Sequence, residues 1–459
     1  MIESYAARLH AERALLPEGW AEHVTIAIAE DGTIADVSVG GDGAGAEKVA
    51  GPLVPAMPNL HSHAFQRAMA GLAEVASGGA DSFWSWRDTM YRIVGAIGPD
   101  DVEAIAAKLF VELLKGGFGS IAEFHYLHHA PGGAFYADRG ELARRILAAS
   151  SRAGIGMTLL PVFYAHADFG GVPPNAGQAR FVHGVDDYLR LVGSLERDVA
   201  DAGARLGVAI HSLRAATPDE MDAVLADRTG KGPIHIHIAE QPREVESCLA
   251  WSGRRPVEFL FDRFAVDADW CLVHATHIDA VECAAIATSG AIAGLCPATE
   301  ANLGDGLFPA TDYRDRGGAF GIGTDSHVAT TVAEELRTLE YGQRLRDLQR
   351  NRLADGPGRS VGRSLFDAAT AGGARALGRP GAAIAPGLPA DLVVLDGANP
   401  FIATSRGDAV LDRWMFALGD RAVRDVMVGG AWQIREGRHA RDEEIDRAFA
   451  GVLERLASI

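Results

Sequence analysis

Cysteine is scarce in this chain: Cys248, Cys271, Cys283 and Cys296 are the only four among 459 residues. No two are spaced C-x-x-C, so neither a zinc knuckle nor a redox dithiol is signalled. Four thiols in so long a chain make no disulfide framework, and they read as reduced cytosolic groups, with the cytoplasm as the expected location. Long apolar runs are also missing, since none reaches the ~18–20 residues of a membrane-spanning helix. The stretch to Trp20 carries Glu3, Arg8, Glu12 and Arg13 instead of a basic-then-apolar leader, and Met-Ile at the start gives no myristoylation signal. Positive charge is in deficit as well. Lys and Arg total 43 against 61 Asp and Glu, a formal charge of −18. Such a chain has no field for nucleic-acid phosphates, and an anionic small molecule would need local Arg, Tyr or His to hold it. Neither a G-x-G-x-x-G after the first strand nor a G-x-x-x-x-G-K-[ST] loop is present. What remains is ordinary globular composition, 48% hydrophobic and 23% charged. The length suggests two or three domains, or one large barrel with an appendage.

The two ends of the chain read as β structure. His23–Glu30 and Thr33–Val39 alternate about an Asp31-Gly32 turn. Ala390–Asp396 is a strand, Ala422–Val428 and Ala431–Arg435 form a hairpin about Gly429-Gly430, and a helix closes the chain at Asp442–Leu456. Residues 1–52 and 385–459 are therefore expected to form one small, discontinuous β-sandwich domain around a central insert, residues 53–384. The insert repeats a different rhythm. Eight short apolar runs recur at Leu53–Leu60, Gly119–Phe124, Gly156–Phe163, Leu206–Ile210, Pro233–Ile238, Trp270–His274, Ala291–Cys296 and Ala319–Gly323. Amphipathic stretches such as Asp100–Leu114 and Asp186–Ala202 lie between them. Alternation of this kind gives right-handed β-α-β units and a parallel sheet, and eight of them suggest a closed (β/α)8 barrel of TIM type.

Polar residues gather just after these runs: His61-Ser62-His63, His125-Tyr126, His211 to Arg214, His237 to Glu240, His274, and Thr324-Asp325-Ser326-His327. In a barrel these ends converge on the face that holds active sites. His61 and His63 are two apart on an extended strand and face one side. With His237 and Asp325 they make three imidazoles and a carboxylate. That donor set suits zinc or another borderline divalent ion with a position left for water. Glu240, three residues past His237, is placed for proton transfer rather than ligation. His274 reads as a donor to a developing tetrahedral centre, with ligation of a second metal as the alternative. His211 ends the fourth strand where no Lys stands, so one metal is expected. His235 reads as a core residue one layer deeper. His10, His23, His183 and His439 read as surface residues. His128, His129, His166, His277 and His327 are loop residues near strand ends.

At this point the chain resembles the amidohydrolase superfamily. Pro58–His63 resembles its P-x-x-N-x-H-x-H opening, Gly387–Asp396 its G-x-x-A-D-L-V strand, and Val426–Gly430 its final hairpin. His237-Ile-Ala-Glu240 resembles the single-metal deaminase branch. Within that branch Ala11–Trp20, His61–Gly71, Phe83–Tyr91, Ala122–His129 and His211–Ala215 resemble the formimidoylglutamate deiminase family of bacterial histidine degradation. The resemblance implies hydrolysis of N-formimidoyl-L-glutamate to N-formyl-L-glutamate and ammonia. Another aminohydrolase of the superfamily, acting on a purine, an adenosine derivative or a triazine, is the alternative. For a dicarboxylate amidine the expected donors are Arg214, Tyr126 and His211, with Gln66 and Arg87 on the loop after strand one. The expected route passes a proton from water to Asp325 or Glu240, steadies the tetrahedral centre with His274 and protonates the departing nitrogen from Glu240. One divalent ion per subunit, zinc by preference, and a homodimer complete the expectation.

Overall fold

The computed structural model describes residues 5–76, 83–226 and 232–457; Glu3 lies outside them. Eight parallel strands form the central sheet in sequential order: Met57–Ser62, Phe118–His125, Gly156–Phe163, Val208–Ser212, Ile234–Ile238, Trp270–His274, Ile292–Leu295 and Ala319–Ile322. We number them one to eight. The sheet closes where Ser62 bridges Asp325 in parallel, with the Thr324 and Asp325 amides donating to the His61 carbonyl and the His63 amide to the Asp325 carbonyl. Helices such as Pro99–Lys115 and Val185–Asp201 cross between strands.

Strand five, Ile-His-Ile-His-Ile, shows why these runs suit a barrel. Every residue is buried, so β-branched isoleucines meet the surrounding helices while the histidines turn to the barrel interior. His235 is fully buried one layer below His237, and its Nε2 donates to the Ala376 carbonyl at 2.8 Å.

One run departs from the sequence reading. Leu53–Leu60 is two strands in two sheets. Leu53–Pro55 pairs with Ala7–Leu16 on one side and Leu392–Leu395 on the other, and only from Met57 does the chain enter the barrel. Pro55 and Pro58 lack N–H groups and interrupt a ladder that apolarity alone suggests is continuous. Leu53–Pro55 thereby joins the two ends of the chain. The second sheet is mainly antiparallel and runs Arg438–His439, Ala431–Arg435, Val423–Val428, Leu392–Leu395, Leu53–Pro55, Ala7–Leu16, Gly19–Ile28, Ile34–Val39, with Glu47–Lys48 beside Ala7–Leu16. It has its own core, in which Leu9, Val24 and Ile26 meet Leu392, Val394 and Met427. Its two hairpin turns abut: Gly32 has φ +80°, and a Cβ there would come 2.2 Å from the Gly429 carbonyl. Helix Asp442–Leu456 begins with three acids and packs back on Pro99–Lys115 through Lys115–Asp442 and Lys108–Asp446, both at 2.7 Å.

Candidate active site

The strand ends bring His61, His63, His237 and Asp325 together. His61 Nε2 lies 3.2 Å from His63 Nε2 and 2.9 Å from His237 Nε2. Asp325 Oδ1 lies 3.6 Å from His61 Nε2 and 3.3 Å from His63 Nε2. The tautomers follow from the other ring nitrogens. His63 Nδ1–H donates to the Phe124 carbonyl and His237 Nδ1–H to the His211 carbonyl, each at 3.0 Å. Their Nε2 lone pairs therefore turn inward. Burial holds all three imidazoles below the ordinary histidine range, His63 at about 3. Crowded lone pairs beside a carboxylate oxygen repel one another in a dry site, and a divalent cation among them removes that repulsion. The donor set fits such an ion.

A buried chain of hydrogen bonds sets this cluster across the barrel seam. Asn59 Nδ2 donates to Thr324 Oγ1 at 2.7 Å, and Thr324 Oγ1 meets His327 Nδ1 at 2.9 Å. His327 Nε2 meets Ser62 Oγ at 3.0 Å, and Ser62 donates to Glu123 Oε2 at 2.5 Å. Glu123 also accepts the Ala64 amide at 2.8 Å, and burial raises its carboxyl to about 8. Ser62 stands between two of the clustered histidines, so this chain fixes the turn that presents both. Backbone strain gathers on the same face. Ala239, His274, Ala275, Asp325 and His327 all have φ between +45° and +66°.

His274 stands beside the cluster. Its Nε2 is 3.8 Å from Glu240 Oε1 and 3.8 Å from Asp325 Oδ2, and its Nδ1 is 3.2 Å from Glu300 Oε1. Burial opposes charge on this ring, but Glu240, Glu300 and Asp325 raise it to about 10. Burial lifts Asp325 to about 7 against the pull of His274. Behind His274, its Nδ1, Cys296 Sγ and a Glu300 oxygen lie within 4.8 Å of one another. Glu244 braces the turn after strand five by accepting the Ala239 and Glu240 amides at 3.1 and 3.3 Å, and it lies 4.0 Å from Arg214 Nη2.

One cavity holds nearly the whole set: His63, Gln66, Arg87, Tyr126, His211, Arg214, His237, Glu240, His274 and Asp325 line it, with His61 just beneath. Gln66 Nε2 donates to the Tyr126 hydroxyl at 2.9 Å. Arg214 Nε is buried and has no hydrogen-bond partner among the described residues. The Arg87 guanidinium lies over the Tyr91 ring at 5.6 Å. Sequence reasoning missed the aromatic wall of Trp86, Tyr91, Tyr164 and Phe181. Tyr164 packs on His211 with ring centres 4.6 Å apart and accepts Gln178 Nε2 at 2.5 Å. Its one signal was its place immediately after strand three, the position that carries a polar side chain on other strands. Glu300 and Glu244 were also missed, because each sits on a helix past the strand end.

Of the four histidines expected at the surface, only His23 is exposed. His10 is buried against Thr25 Oγ1 at 2.9 Å. His439 is buried at the start of the last helix, where its Nδ1 accepts the Arg441 amide. His183 is 4% exposed, packed against His128 and His129, and neither ring nitrogen has a hydrogen-bond partner among the described residues. Among the loop histidines, His327 belongs to the seam network, while His128 and His129 donate to the Val162 and Val182 carbonyls. His277 donates to the Asp305 carbonyl at 2.6 Å, and His166 pairs with Glu220 at 2.9 Å.

Known proteins resemble this chain in sequence and fold. Residues 53–432 match a family model described as Amidohydrolase family, and residues 7–50 match one described as Formimidoylglutamate deiminase HutF, N-terminal domain. A formimidoylglutamate deiminase of Pseudomonas aeruginosa is 57% identical over 448 residues, 98% of this chain and 99% of the relative. A crystal structure described as an amidohydrolase from Brucella melitensis is 50% identical with a TM-score of 0.94, covering 98% of this chain and 100% of the other. An adenosine deaminase from Xanthomonas campestris with bound zinc has a TM-score of 0.82 at 21% identity, over 99% of each chain, a likeness of fold alone.

Proposed function

This chain belongs to the amidohydrolase family, and on that premise we propose that it is a hydrolytic deiminase of N-formimidoyl-L-glutamate. Water adds to the formimidoyl carbon, the bond from that carbon to its terminal nitrogen breaks, and N-formyl-L-glutamate and ammonia result. The observation that carries this reading is a single cavity lined by two chemically distinct sets of groups. One set, His63, His237, Glu240, His274 and Asp325, has the imidazoles and carboxylates to act on an amidine. The other, Arg214, Arg87, Tyr126, Gln66 and His211, offers the donors that two substrate carboxylates require. The 57% identical relative is named for this reaction.

When bound at His61, His63, His237 and Asp325, a divalent ion, zinc in our reading, supplies a Lewis acid and makes water acidic near neutral pH. The Glu240 carboxylate takes a proton from the attacking water and delivers it to the nitrogen that leaves as ammonia. Asp325 turns Oδ1 to the histidine cluster and Oδ2 towards His274, so Oδ2 is a second place for that proton. His274 Nε2–H steadies the oxygen that gains charge in the tetrahedral intermediate. Arg214 and Arg87 hold the carboxylates, with Tyr126, Gln66 and His211 adding donors. Fixing both ends of a short substrate places its reacting carbon at the imidazole wall.

Ammonia release tests the reading. Metal-loaded protein should turn over N-formimidoyl-L-glutamate and leave N-formimidoylglycine, adenosine and guanine nearly untouched. The aromatic wall could also stack a purine, so turnover of adenosine or guanine without turnover of the amidine would overturn the substrate assignment. Among the described residues no helix is long and apolar enough to cross a membrane, and all four cysteines are free and buried. We read the protein as a cytoplasmic homodimer, and sedimentation of the purified chain checks the second half of that reading.

A further inference from the structure

The backbone alone does not fix which edge of the His274 imidazole faces the reaction centre. His274 has φ +66° and Ala275 +48°, an abrupt turn that sets the Cα–Cβ direction at the end of strand six. The ring can still flip about Cβ–Cγ, because that torsion is broad and roughly two-fold. A flip exchanges Nε2 for Cε1 and Nδ1 for Cδ2. It would present a C–H where an N–H is needed between Glu240 and Asp325. Some partner must therefore select one flip.

Glu300 is that partner. It lies on helix Pro297–Leu303 after strand seven and is 4% exposed. Its Oε1 accepts the Cys296 amide at 2.9 Å, which ties the carboxylate to the end of strand seven independently of His274. The same oxygen is 3.2 Å from His274 Nδ1, close enough to accept its N–H. With Nδ1 committed to Glu300, the far edge of the ring carries Nε2 to within 3.8 Å of Glu240 Oε1 and Asp325 Oδ2. Glu335, another buried carboxylate nearby, accepts the Ala298 amide at 2.9 Å. Glu300 differs in also holding an imidazole that lines the cavity.

We propose that Glu300 is a positioning residue for deimination, selecting the His274 ring orientation that presents Nε2–H to the reacting atoms. This rests on the deiminase reading above. Glu300 is not among the residues that line the cavity or form the histidine cluster, so its removal should lower kcat while KM and metal content hold. Glu300→Ala should cost kcat about 10- to 100-fold, the range typical of an outer hydrogen-bond partner, with KM within about 3-fold. One metal ion per chain should remain. Glu300→Gln keeps an acceptor and the shape, and should recover much of the loss.

The deciding measurement is a double-mutant cycle between Glu300→Ala and His274→Asn, read as kcat with metal content determined on each protein. If Glu300 acts through His274, its substitution should change kcat by less than about 2-fold once His274 is replaced. Additive losses would overturn the proposal, as would kcat in Glu300→Ala within 2-fold of wild type. Two ions per chain in the wild type, falling to one in Glu300→Ala, would also overturn it, since an ion among His274, Cys296 and Glu300 would displace the hydrogen bond. Should Glu300→Ala fail to fold, Glu300→Leu, which fills the space without an acceptor, carries the same comparison. Wild-type protein inactive on N-formimidoyl-L-glutamate would instead discard the substrate assignment, so the two failures are distinct.

Discussion

Glu240 and Arg214 line one cavity, and their substitutions separate chemistry from grip. Glu240 approaches His274 Nε2 at 3.8 Å and is not one of the clustered histidines. Glu240→Gln keeps the shape and loses the proton carrier, so kcat should fall about 10²- to 10⁴-fold with one metal ion still bound, by metal analysis. Arg214 keeps a buried, unbonded Nε beside the aromatic wall. A hydrogen bond to a charged group is worth roughly 1.5–3 kcal/mol, so Arg214→Ala should lower kcat/KM about 10- to 100-fold, mostly through KM. Arg214→Lys should recover little, because a point charge cannot replace a planar fork. Unchanged kcat/KM in Arg214→Ala would remove the arginine from the carboxylate site.

The barrel seam is an element with a function of its own. Strand eight meets strand one at Gly323, where an added Cβ would come 2.7 Å from His61 Cβ and 2.9 Å from the His61 amide. Only a bare backbone lets the two strands close so near the clustered histidines. The Asn59–Thr324–His327–Ser62–Glu123 chain then holds the closed seam in register. Gly323→Ala should push strand one outward, cost about 1–3 kcal/mol of stability and lower metal content after dialysis. Full metal content with unchanged thermal stability would show that the seam has slack. Strand-end histidines are legible in a sequence because alternation shows which residues face inward. The close approach of residues 61 and 323 is not, because it joins the first and last strands of the barrel, far apart in the sequence.

Acid sensitivity belongs to the whole molecule. Burial holds His125 and His183 at about 3, and pushes His61, His128 and His327 well below the ordinary value. In the unfolded chain these rings titrate near 6.5. At these rings the unfolded state binds more protons than the folded one between that value and about 3, so the stability they contribute is full above pH 6.5 and falls as pH drops. Thermal melts should show Tm falling steeply from pH 7 to pH 4.5. His183 offers a clean control, because neither ring nitrogen has a hydrogen-bond partner among the described residues and it lies outside the cavity. His183→Phe removes two orphaned polar atoms and one acid-sensitive ring. Its Tm at pH 7 should equal or exceed that of the wild type, and its fall with acid should be shallower. An identical pH slope would mean that His183 is not buried neutral.

The sequence by itself determined the eight-fold alternation, the strands at both ends, the closing helix Asp442–Leu456 and the polar residues at strand ends. Each is written in a local period of burial or an abrupt change from apolar to polar, and such signals survive without knowledge of the rest of the chain. The tertiary structure decided what depends on distant partners. It divided Leu53–Leu60 between two sheets, since the choice rests on pairing with residues 7–16 and 392–395. It buried His10, His183 and His439, whose neighbours come from other strands and loops. It brought Tyr164, Glu244 and Glu300 to the cavity or its supports, because closing eight strands gathers side chains that no local spacing relates.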